Sequence, residues 1–405
     1  MKKHIYRKLT AIVALSLSLP TLATEPESND SVEGFRFTDV KVNPTTPVKN
    51  QNKSGTCWSF AGTAQLENEI LKNGGPEVDL SEMFVVRQVY LDKADKYVRL
   101  GGNGNFGPGG AITDVPYVYA VYGALPEEAY PGNEYGEEGH VHGELDAVLT
   151  AYLNAVNKHP NRRLSTAWRK GLEGILDAYL GPVPETFNVG GKTYTPQSYA
   201  KELGLSPDDY VAFTSFTHHP FYTSFPLEVA DNWLWADYNN VPMEDLRAIV
   251  DNAIDKGYTV VWAADVSEPG FKWNKGVALM PVEKDGKDLE GTELSRWVKL
   301  TPAERQREKY NFNGPCEEQI ITQEMRQTMF DRMETTDDHG MVIVGKAKDQ
   351  TGKPYYKVKN SWGDDGHIYN GYFYVSEPYF LAKTLSILVN KKALTSDQAK
   401  KSNVK

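Results

Sequence analysis

Ser54-Gly55-Thr56-Cys57-Trp58-Ser59-Phe60, the stretch SGTCWSF, holds one of only two cysteines in a chain of 405 residues. Cys57 stands between a flexible Ser-Gly-Thr run and a helical pattern, in which Phe60, Ala64, Ile70 and Leu71 share a face and Asn73-Gly74-Gly75 ends the run. The thiol is a small buried hydrophobe, half of a disulfide, a metal ligand or a nucleophile. A helix start favours the last, because unpaired backbone N–H groups and the helix dipole stabilise a thiolate. A catalytic thiol also needs an imidazole to relay its proton and donors for an oxyanion.

The surroundings of the chain narrow the choice. Lys2, Lys3, Arg7 and Lys8 precede the short apolar run Ala11–Leu19, Pro20 breaks it, and Thr21 and Ala23 are small. This reads as a cleavable export signal cut after Ala23, giving a periplasmic or secreted protein. No apolar run reaches the roughly 18 residues that span a bilayer. Removing residues 1–23 shifts the formal charge from −10 to −14, which repels nucleic-acid phosphates, so no nucleic-acid partner is expected. Two cysteines exclude a disulfide framework and allow at most a Cys57–Cys316 bridge.

Among the histidines, only His339 runs directly into a strong strand pattern, HGMVIVG, followed after a turn by a second strand ending in KNSWG. Adjacent strands of a hairpin bring His339 beside Asn360. The Asn360 amide oxygen can accept from the far ring nitrogen and fix the tautomer, and Trp362 can shield that bond from water.

The motif PVKNQNKSGTCWSF, followed far downstream by DHGMVIVG and KNSWG…NGYFYV, resembles the papain-type cysteine peptidases. The resemblance implies Cys57 as nucleophile, His339 as base, Asn360 as its orienting partner, and Gln51 as the side-chain donor to the oxyanion. It also implies peptide substrates and no cofactor. Gly109-Gly110 is either a plain turn or, by the same resemblance, backbone offered to an extended substrate.

Three departures point to one branch. Ser54 replaces the family's usual disulfide cysteine, little chain precedes Gln51, and Cys57 to His339 spans 282 residues. With PETF, TPQSYAKE, VVWAADV and TTDDHGM, these resemble the bleomycin hydrolase/aminopeptidase C branch. That branch implies hexamers, and a C-terminal tail whose carboxylate lies in the cleft and pairs with the substrate amine. The tail here, ALTSDQAKKSNVK, is shorter and more basic.

The expected fold is α+β, papain-like and two-lobed, with a large helical insertion. After the signal, residues 24–45 read as an extended lead-in and 46–139 as the helical lobe with the nucleophile helix. The helical insertion covers 140–255, the β-rich lobe carrying His339 and Asn360 covers 256–393, and the tail 394–405. His140, His142, His218, His219 and the Asp337-Asp338-His339 run lack metal-site spacing, so no metal is expected. The leading activity is an aminopeptidase working through a thioester; the alternatives are an endopeptidase and an inactive peptide-binding protein on the same fold.

Overall fold

In chain order the elements begin with strand β1 (Phe37–Val42) and helices α1 (Cys57–Lys72), α2 (Glu82–Arg99), α3 (Asp114–Tyr122), α4 (Gly143–Asn157) and α5 (Ala167–Leu180). A small hairpin, β2 (Phe187–Val189) and β3 (Lys192–Tyr194), leads into α6 (Pro196–Leu203). Strands β4 (Tyr210–Thr214), β5 (Ser224–Pro226) and β6 (Asp237–Asn240) precede α7 (Met243–Asp255) and β7 (Val260–Ala264). Then come β8 (Phe271–Lys272), β9 (Val277–Ala278), α8 (Gly291–Trp297), α9 (Pro302–Lys309) and α10 (Gln323–Asp331). The chain closes with β10 (His339–Asp349), β11 (Pro354–Lys359), β12 (Tyr372–Ser376), α11 (Glu377–Lys383), β13 (Thr384–Asn390) and α12 (Ser396–Lys401). This computed structural model describes residues 34–158, 162–282 and 289–404; the export signal read over 1–23 lies outside the described residues.

The large sheet runs β5-β6-β4-β13-β7-β10-β11-β12-β9-β8, with β1 added against β10. Its centre is β10, an apolar run buried on both faces, as its valines and isoleucine dictate. Antiparallel register sets His339 opposite Ala264 of β7, and Val342 opposite Lys359 of β11. The chain leaving β11 therefore passes the start of β10, and Asn360 comes beside His339.

Successive side chains of β10 serve different cores. Met341 and Ile343 pack with Leu246, Ile249 and Val250 of α7, whereas Val342 and Val344 pack with Ala61 and Ala64 of α1. Small alanines let α1 lie close on the sheet. Its other side chains, Trp58, Phe60 and Leu66, enter a helical core with Met83, Phe84, Leu149 and Leu176. Each such large apolar side chain contributes roughly 1.5–3 kcal/mol on burial. Helix α1 is thus the shared wall of the two lobes, and its first residue is Cys57.

Two expectations about organisation meet a different arrangement. The lead-in is not merely extended: Phe37–Val42 pairs with β10 as β1, and Phe37 stacks on Tyr374 at 3.9 Å. Residues 140–255 are not one helical insertion. Leucines of α4 and α5 join the helical core, while β4 pairs with β13 and carries β6 and β5 into the main sheet. The Tyr-Val-Ala-Phe-Thr of β4 has the aromatic and β-branched content of a strand, and only tertiary pairing stabilises so short a segment.

The tail also departs from the family expectation. Ala393, Leu394 and Val404 pack into the core under α7. Lys256 Nζ donates to the Leu394 carbonyl at 2.6 Å, and Thr395 caps α12 through a capping box with Gln398. Through Val404 the tail lies on the face of the sheet opposite α1 and its Cys57.

Candidate active site

Cys57 opens α1, where the first N–H groups have no intrahelical partner. The N–H of Gly340 donates to Cys57 Sγ at 3.3 Å. Glycine lets the strand approach closely there: a Cβ on residue 340 would lie 3.1 Å from Trp58 Cα and 3.3 Å from its nitrogen. Trp58 is locked by its indole N–H, which donates to the Pro108 carbonyl at 2.9 Å.

His339 is 5 % exposed, and its Nε2 lies 2.7 Å from Asn360 Oδ1. The same Oδ1 accepts the Ser361 N–H at 2.8 Å. A backbone N–H can only donate, so the amide oxygen is fixed on this side and His339 Nε2 carries a proton. Nδ1 is left with its lone pair. Trp362 stacks on the ring at a centroid distance of 4.7 Å and covers the His339–Asn360 bond. Cys57 and His339 line one cavity of about 60 Å³, together with Trp58, Gly109, Gly110, Asp231, Asp337 and Gly340.

Gln51 is held on the Asn360 side rather than in that cavity wall. Its N–H donates to the Ser361 carbonyl at 2.8 Å and its Oε1 accepts from Ser361 Oγ at 2.6 Å. The side-chain Nε2 is therefore its remaining donor. Two residues earlier, Lys49 anchors this loop on the helices, with Nζ 2.8 Å from Glu67 and 2.7 Å from Glu82.

The electrostatics differ from the helix-start argument. Burial pushes the Cys57 thiol up to about 12, and Asp337 and Asp231 add to the rise; the Gly340 and Trp58 N–H groups only partly offset it. Burial pulls His339 down to about 4, against the Asn360 bond. Both shifts favour a neutral thiol beside a neutral imidazole, because lost hydration outweighs the dipole of one helix.

Sequence reasoning passed over several residues here. Asp231 gave no signal, lying in an unremarkable loop. Asp337 was visible in TTDDHGM, but only as a metal candidate. Of the acidic pair, Asp338 Oδ2 accepts the N–H groups of Val266 and Ser267, while Asp337 lines the cavity. Lys93, 2 % exposed, donates from Nζ to the carbonyls of Gly107 and Gly109 and ties down the glycine loop.

The remaining chemistry-bearing groups lie elsewhere. No disulfide joins Cys57 and Cys316. His218 and His219 each place Nε2 3.1 Å from Glu228, so the three offer ligand atoms within 4.8 Å of one another, with no ion present. His142 is fully buried with both ring nitrogens unpartnered, and burial lowers it to about 4.

Comparison with known proteins brackets this geometry from both ends. Residues 33–142 match the papain family cysteine proteases, and residues 308–405 match the peptidase C1-like family. Aminopeptidase C of Streptococcus thermophilus is 22% identical over 94% of this chain and 87% of its own. Aminopeptidase G of Lactobacillus delbrueckii subsp. lactis is 24% identical over 92% of this chain and 88% of its own. The crystal structure of PepW from Lactobacillus rhamnosis superposes with a TM-score of 0.67 at 18% identity, covering 90% of this chain and 84% of that one. With Cys57 in the first matched segment and His339 and Asn360 in the second, the chain belongs to the papain-like cysteine peptidases, on the aminopeptidase C branch.

Proposed function

We propose that the chain is a cysteine aminopeptidase that releases N-terminal residues from peptides through a thioester. The single observation that carries this reading is the cavity where Cys57 and the Asn360-bound His339 meet. His339 Nδ1 takes the Cys57 proton as the sulfur attacks the scissile carbonyl carbon. The oxyanion is met by the Cys57 backbone N–H, with Gln51 Nε2 as the side-chain donor that the family resemblance implies. His339 returns the proton to the leaving amine, and the C–N bond breaks. Water, deprotonated by His339, then attacks the thioester and frees the residue as a carboxylate.

Aminopeptidase action is favoured over endopeptidase action by the names of the full-length relatives and by the cavity's own wall. Leu227, Val229 and Asp231 line it beside Gly109-Gly110, so a carboxylate stands there to receive a free amine. Paired assays on free-amine and N-acetylated peptides test the choice. Only the free-amine peptides should turn over; comparable hydrolysis of both would establish an endopeptidase.

Export to the periplasm or medium belongs to this proposal, on the basic start and apolar run of residues 1–19. A mature protein beginning at Thr24 outside the cytosol is expected, and an intact N-terminus confined to the cytosol would contradict it. Hexamer formation rests on the family resemblance alone. Light scattering should give six times the monomer mass; a monomer would exclude it.

A further inference from the structure

Two carboxylates face the nucleophile, and neither forms an ion pair among the described residues; Lys93 acts on Asp231 only at longer range. Asp337 makes no hydrogen bond or ion pair among the described residues, although its neighbour Asp338 is fully engaged by the Val266 and Ser267 N–H groups and by Thr336. Asp231 accepts from Asn105 Nδ2 at 2.7 Å through Oδ1. Its Oδ2 presses on the glycine loop so closely that a Cβ at residue 109 would lie 2.1 Å from it. Gly109 therefore makes room for this carboxylate. The neighbouring cation, Lys93, spends its ammonium protons on the Gly107 and Gly109 carbonyls.

Both carboxylates line the same cavity as Cys57 and His339. Desolvation raises both carboxyls, Asp337 to about 7, as for anions awaiting a counter-charge. The tail through Val404 packs beneath α7 on the other face of the sheet, so residues 391–404 bring no anion here.

Building on the aminopeptidase reading, we propose that Asp231 and Asp337 together bind the α-ammonium group of the peptide's first residue beside Cys57. The pairing fixes the scissile carbonyl one residue from the chain end. It also removes the negative field that opposes thiolate formation, so a free amine promotes attack as well as binding. The other titratable groups facing this corner are Cys57, His339, Asp338, Asp114, Tyr238 and Lys93.

The test compares kcat/KM for a free-amine substrate and its desamino analogue in wild type, Asp231→Asn and Asp337→Asn. A charge-assisted contact of this kind predicts that each variant lowers the free-amine-to-desamino ratio about 10- to 100-fold. Alkylation of Cys57 by neutral iodoacetamide at pH 8 should become faster in both variants, because an opposing charge is gone. Wild type selective for the free amine, with variants of unchanged ratio, overturns the carboxylate pair and leaves the aminopeptidase reading intact. Variants that lose both substrates equally and alkylate more slowly also overturn it. Wild type indifferent to the amine defeats the aminopeptidase reading itself, and the pair with it. Asp337→Asn breaks no contact among the described residues, so it decides on the same criteria should Asp231→Asn not fold.

Discussion

The backbone N–H of Gly340 reaches Cys57 Sγ over 3.3 Å, joining the first residues of β10 to the first residue of α1. This contact spans 283 residues of sequence and fixes the thiol against the strand that carries His339. Gly340→Ala puts a methyl 3.1 Å from Trp58 Cα. The strand and helix must separate by a few tenths of an ångström or more. A loss of about 100-fold in kcat/KM is expected, with about 1–3 kcal/mol of destabilisation. Steady-state kinetics beside urea melts separate the two.

Asn360 sets the imidazole rather than reacting. Asn360→Ala frees the ring to rotate and to adopt the other tautomer, and kcat should fall about 10- to 100-fold with KM little changed. Asn360→Asp keeps an acceptor and adds a charge, so the His339 pKa should rise. NMR titration of the ring in each variant reads that shift directly.

Much of this site was legible in the sequence, and for physical reasons. Cys57 starts a run with clear helical period, and His339 starts an unbroken apolar strand with a hairpin partner; both signals are local. The His339–Asn360 pairing follows from hairpin register. Asp231 was not legible, because nothing within the loop ADNW reports that it will close over Gly109. Strands β4 to β6 were missed for a related reason: they are short, and β4, on which β6 and then β5 build, joins the main sheet only through β13, far along the chain. The raised thiol is a property of burial, which a helix start alone does not disclose.

Stability should decline in acid through two buried histidines. His339 and His142 are both lowered to about 4 from 6.5, so the unfolded chain binds their protons first as pH falls. Their contribution is complete above about pH 6.5 and is lost as pH drops to about 4, up to roughly 3 kcal/mol for each. Urea midpoints measured across this window should fall more steeply for wild type than for His142→Gln; parallel curves would contradict the assignment.

Lys49 holds the Gln51 loop by charge. Its Nζ lies between Glu67, which is fully buried, and Glu82, which is nearly so. Lys49→Met takes the cation from two close buried carboxylates and from the exposed Asp79. Removing one partner of a buried ion pair predicts about 3–5 kcal/mol of destabilisation. A shift of the urea midpoint checks this, and a change below about 1 kcal/mol would mean the pair is screened by water.

The sulfur–imidazole couple is tested most directly by labelling with a thiol-directed epoxide, followed by peptide mapping. The expected result is modification of Cys57, not Cys316, together with loss of peptidase activity, and little or no modification in His339→Ala. Labelling of Cys57 at the same rate with and without His339, or full activity in the labelled protein, would contradict a catalytic pair at this site.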